Sequence, residues 1–137
     1  MSRAIIVATI VLAFSSPSFA ASDEELGKLG DKMSGAFKCS IYASMLDELK
    51  EQQRLFQIGL KAGRDFVDGM KSSNVPPLNE LQTYMPGATT DFVVGQMFET
   101  ESKKAYDEIP PEQRLDRSAE KAQAEIIYRE SNCSLIQ

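Results

Sequence analysis

Apolar side chains recur at three- and four-residue steps in four stretches of the chain, the spacing of one helix face. The first stretch opens with Ser22-Asp23-Glu24-Glu25, a capping-box pattern in which Ser22 caps the helix and Glu25 reaches back to it. The early acids also complement the positive end of the helix dipole. Leu26, Leu29, Met33, Ala36, Phe37 and Ile41 then mark a single face. Gly27, Gly30 and Gly35 interrupt it at about 1 kcal/mol each relative to alanine, which predicts a frayed start that firms up near Phe37. Cys39 to Leu49 carries no break signal.

The second stretch has the clearest rhythm: Leu55, Phe56, Gly59, Ala62, Gly63, Phe66, Val67 and Met70. Two glycines one turn apart on that face allow another helix backbone to come close, at a cost in helix propensity. Lys61 with Asp65 and Arg64 with Asp68 are spaced as i, i+4 ion pairs. Ser72-Ser73-Asn74-Val75-Pro76-Pro77 halts the helix, because the prolines remove donors and restrict Val75. Leu78 to Tyr84 is expected to form a short helical turn before Met85-Pro86-Gly87-Ala88 breaks the chain again.

Thr89 or Thr90 can cap the third stretch, with Asp91 in its first turn. Phe92, Gly95, Phe98, Ser102, Ala105, Tyr106 and Ile109 follow at helical spacing. Residues 92–98 alone also read as a strand, and the helix formers from Glu99 to Glu108 favour the helix. Pro110-Pro111 ends this element and starts the fourth, where Leu115, Ala119, Ala122, Ile126 and Cys133 are expected along one buried stripe.

The first twenty residues differ in kind. Arg3 is followed by the apolar run Ala4 to Phe14, then by the small, proline-broken Ser15 to Ala21. These are the three parts of a secretory signal. A helix of that apolar run rises about 16 Å, roughly half of a ~30 Å hydrocarbon core, so it inserts transiently without spanning. Cleavage is expected after Ala20 or Ala21, leaving a single domain over 21–137 with no stable membrane span.

The two cysteines, Cys39 and Cys133, are an even pair for an oxidising compartment and predict a disulfide. The resulting fold class is all-α: a small irregular bundle of about four main helices after a cleaved signal peptide, its first and last helices linked by one disulfide.

Charge narrows the choice of partners. The net charge is −5, and losing Arg3 makes it one unit more negative. Without a Lys/Arg cluster the chain is poorly suited to phosphates, so no nucleic acid partner is expected. Histidine is absent, which removes the usual near-neutral acid/base and the commonest transition-metal ligand. With both cysteines paired, thiolate zinc sites disappear too. No catalytic residue, cofactor or metal is therefore assigned.

Carboxylates remain. Asp91 with Glu99, or Glu99 with Glu101, are the acid pairs a small hydrolase of envelope glycans would use, set against solvated helix faces. Arg64, Asp65 and Asp68 read as a buried polar network or as surface ion pairs. Tyr42, Tyr84, Tyr106 and Tyr128 could stack a sugar or grip a partner, though core packing with an exposed hydroxyl is the default. Met33, Met70 and Met97 fill core gaps or line a cavity for a small apolar ligand.

These readings converge on a periplasmic or secreted, non-enzymatic protein-binding factor, such as an inhibitor, immunity protein or accessory subunit. Its partner would be another exported or envelope protein. Glu80, Tyr84 and Asp91, in and beside the proline-rich connection, are the candidate partner-binding residues.

Overall fold

The computed structural model describes residues 21–73 and 87–137. The expected leader and the turn expected at Leu78–Tyr84 lie outside the described residues. Among those described there are four α-helices and no strand: α1 (Asp23–Met45), α2 (Leu49–Ser73), α3 (Thr90–Asp107) and α4 (Arg117–Glu130), with a short 3-10 turn at Cys133–Leu135. The segment 92–98 is helix. None of these helices is long and apolar enough to cross a membrane.

Helix α1 is the central element; α2, α3, α4 and the 3-10 turn all pack on it, and α2 also meets α3. Its start is ordered despite three glycines. Both halves of the capping box form, Glu25 N–H donating to Ser22 Oγ and Ser22 N–H to the Glu25 carboxylate. Leu26 then packs on Met70, with Ala21 against the pair, so tertiary burial adds to the local cap where fraying was expected.

Two larger clusters make up the core. Cys39, Tyr42 and Met45 meet Leu55, Ala105, Ile109, Ala124 and Cys133 in one. Met33 and Phe37 meet Ala62, Val67, Val93 and Val94 in the other. Phe98 packs against both. Its ring stands edge-on to Phe37 at 5.1 Å and to Phe56 at 5.2 Å between centroids. Each fully buried side chain of this size contributes about 1.5–3 kcal/mol.

The α2 face is the one its periodicity predicts, with Leu55, Gly59, Ala62, Gly63, Val67 and Met70 all buried. What approaches the glycines is side chain rather than backbone. A Cβ on Gly59 would lie 2.5 Å from the Phe37 ring, and one on Gly63 would lie 2.8 Å from Val94.

Three expectations are corrected. The stretch from Cys39 to Leu49 is broken at Leu46–Glu48. There Asp47 adopts a left-handed conformation with φ of 63°, its N–H donates to the Ser44 carbonyl, and Glu48 N–H donates to that of Ala43. This is a Schellman stop with aspartate where glycine is usual. Arg117 and Lys121 of α4 hold the Asp47 carboxylate at 2.7 and 3.3 Å.

Helix α4 begins at Arg117, not at the prolines, because Asp116 supplies the cap to Ser118 and Ala119. Its buried face is Ala124, with Ile127 and Tyr128 packed beside it. The expected stripe is instead exposed at Leu115, Ala122 and Ile126. Cys133 lies beyond the helix, after Asn132 in a left-handed conformation.

The third correction concerns α3, whose buried residues are Val93, Val94, Glu101 and Ala105, while Phe92 and Tyr106 are largely exposed. The expected disulfide is present: Cys39 and Cys133 are bonded across 94 positions, with Cα atoms 5.5 Å apart.

Candidate functional site

Of the candidate partner-binding residues, Glu80 and Tyr84 lie outside the described residues. Asp91 stands in the first turn of α3, which Thr89 caps by accepting from Phe92 N–H. Its carboxylate is gripped by Arg64 of α2 through two hydrogen bonds, 2.6 and 3.1 Å long. That guanidinium holds Asp91 below the usual carboxylate range. Asp68, expected to pair with Arg64, instead accepts from Thr90, whose hydroxyl accepts in turn from Lys71. The acids of this region therefore form a polar seam that fastens the start of α3 to α2. Lys61 and Asp65 pair as expected, at 2.5 Å.

Two further acids are tied into clamps between distant segments. Glu108, just after α3, accepts from Lys38 and, at 2.6 Å, from the hydroxyl of buried Tyr42. Burial works against its charge, but those donors outweigh it and its carboxyl titrates below the ordinary range. Glu51 accepts from Arg54 and from Tyr128 of α4. Arg54 is the main cause of its lowered titration, working against partial burial. Arg54 also donates to the carbonyl of Ile136 at 2.6 Å, fixing the segment beyond the disulfide. Burial, and then the bond to each carboxylate, pushes the hydroxyls of Tyr42 and Tyr128 up.

The sign of the resulting pH dependence follows from the lowered carboxyls. Stability is fully present above the unfolded-state value of roughly 4.3 and is lost as pH falls through the folded-state values. Urea midpoints should hold steady down to about pH 5 and decline below it. Replacing Glu51 and Glu108 together by glutamine should flatten that decline; an unchanged acid limb would show that the clamps do not report on folding.

The acid pairs suggested for hydrolysis do not share a cleft. Asp91 is paired and exposed, Glu99 is exposed, and Glu101 alone is buried, at 7 % exposure. Glu101 lines a groove of about 230 Å³ between α1 and α3, together with Met33, Val93, Gln96, Met97 and Thr100. Met33 and Met97 were expected around a cavity; Met70 packs instead on Leu26. One Glu101 oxygen bonds Lys104 at 2.7 Å, and the other, Oε2, is buried without a hydrogen-bond partner among the described residues.

Sequence reasoning placed Glu101 only within an acid pair. The signal that could have singled it out is spacing: Val93, Met97 and Glu101 are four residues apart, as are Glu101 and Ala105, so the acid falls in an apolar column. Comparison with protein-family models, curated proteins and solved structures finds no match to the chain.

Proposed function

We propose that the chain is an exported, non-catalytic protein-binding factor of the cell envelope, acting as an inhibitor, immunity protein or accessory subunit. The observation that carries the reading is the outward apolar side of α4. Ala122 and Ile126 point to solvent, and Leu115, in the turn before the helix, is 91 % exposed. Single exposed leucines are ordinary. Here, however, a helix shows apolar residues on both sides, one seated in the core and the other uncovered. The partner is a second exported protein that covers this side with an apolar surface of its own.

Export is supported by the buried Cys39–Cys133 bond, which belongs to an oxidising compartment. Processing after Ala20 rather than Ala21 fits the packing. The Ala21 carbonyl accepts from Ser73 at 3.0 Å, and its side chain lies against Leu26 and Met70. A binding rather than catalytic role is supported by the absence of histidine and by carboxylates already committed to Arg54, Arg64 and Lys38.

The processed, oxidised protein is used as bait in an envelope extract beside Leu115→Glu, Ile126→Glu and Asp91→Ala variants. The expected outcome is a saturable partner lost on Ile126→Glu and Leu115→Glu while their helical content and melting are retained. Asp91→Ala tests the surface expected from the sequence. Partner capture indifferent to both apolar-side variants, or concentration-dependent self-association in place of a partner, would overturn the α4 surface.

A further inference from the structure

We propose that the α1–α3 groove binds a linear alkylammonium ion, its hydrocarbon chain against Met33, Val93 and Met97 and its ammonium on Glu101 Oε2. This goes beyond the protein-binding reading and concerns a different surface.

Glu101 is the only charged residue among the buried ones described. Lys104 satisfies one of its oxygens and leaves the other without a donor among the described residues. A buried carboxylate oxygen with no partner is costly in an apolar setting. As packing alone, an apolar residue would serve the position better. A cation entering the groove supplies the missing donor.

The walls decide which cation. Methionine thioethers and a valine offer no hard oxygen ligands, so Glu101, the Thr100 hydroxyl and the Gln96 amide oxygen together fall short of the six or more that calcium takes. A neutral apolar molecule would leave Oε2 unpaired. An ammonium on a hydrocarbon chain satisfies both the oxygen and the apolar walls. The Thr100 hydroxyl donates to the Gln96 carbonyl at 2.9 Å, so its oxygen can accept a second ammonium proton. At about 230 Å³ the groove suits a short chain rather than a drug-sized ring system. The net charge of −5 favours approach of a cation. Oε2 has almost no free surface, so entry requires a side chain of the groove, or Glu101 itself, to change rotamer, and the three-torsion methionines make such walls adaptable.

The test is a titration of disulfide-intact protein, carrying 13C-methyl methionine, with n-hexylammonium and separately with 1-heptanol. The expected result is saturable movement of the Met33 and Met97 methyl signals with the amine and a markedly weaker response to the alcohol. Met45, in the other core cluster, should stay still. Glu101→Gln should weaken amine binding by roughly tenfold or more, as loss of a charge-assisted hydrogen bond predicts. Equal response to amine and alcohol, stationary Met33 and Met97 signals, or undiminished binding by Glu101→Gln would overturn the proposal. If that variant does not fold, Lys104→Ala takes its place. Removing the competing ammonium should strengthen amine binding, and unchanged or weaker binding would count against the site. The titration contains no protein partner, so its failure leaves the α4 reading standing, and the reverse holds as well.

Discussion

Replacing Cys39 and Cys133 together by alanine is expected to lower unfolding stability by about 4–5 kcal/mol. The chain-entropy treatment of a loop of about 95 residues gives that figure. It is a large share of the roughly 5–15 kcal/mol available to a domain of this size. Native strain would reduce the loss, while the packing of two almost fully buried sulfurs would add to it. Few other contacts hold the segment carrying Cys133. Helix α4 is fastened by Asp47 with Arg117 and Lys121, by Tyr128 on Glu51 and by Ala124 in the core. Beyond it, Arg54 binds the Ile136 carbonyl. The two exposed pairs at Asp47 are worth little. Urea unfolding of the oxidised protein against the double variant measures the difference directly. A loss below about 1 kcal/mol would mean that the bond adds little to what the helices already hold.

Gly59→Ala is expected to destabilise the protein by about 1–3 kcal/mol, although the same change favours an isolated helix by about 1 kcal/mol. The new methyl would sit 2.5 Å and 2.7 Å from two Phe37 ring carbons. Phe37 is fully buried and cannot swing aside, because the Phe56 and Phe98 rings lie against it at 5.9 and 5.1 Å between centroids. Gly27 and Gly95 provide the contrast. Both sit inside helices, and a methyl added at either would meet nothing within 4 Å, so alanine there should stabilise by about 0.5–1 kcal/mol. Thermal melting of the three variants gives the signs. A raised melting temperature for Gly59→Ala would mean that Phe37 does not rest on α2 as described.

These two glycine classes mark how far the sequence could be read. Helix α2 was legible because eight apolar or small positions repeat without interruption, so the buried face followed from spacing, whereas the backbone approach expected at Gly59 and Gly63 is replaced by the Phe37, Val94 and Met33 side chains. Ser22 and Thr89 were legible as caps because their chemistry is local. The α1–α2 turn was not: it contains neither glycine nor proline, and its left-handed residue is an aspartate held from outside by α4. Helix α4 was misread in phase. Two proline residues suggested an early start, and the core-facing Ala124, Ile127 and Tyr128 lie on the side of the helix opposite the expected Leu115–Ile126 stripe. Short helices with few apolar residues leave that phase to tertiary contacts. Glu101 escaped for a related reason. Among the acids of the described residues, packing against α1 singles out Glu101 as the buried one.

The 94 positions between the bonded cysteines also impose an order of events. Because synthesis runs from the N-terminal side, Cys39 is made before Cys133 and has no native partner while the residues of α2, α3 and α4 are being added. Its partner arrives only once the helices that enclose it have been supplied. The native bond can thus close only after the residues of all four helices have been made, and an oxidant acting earlier would find Cys39 alone and open to pairing with another molecule.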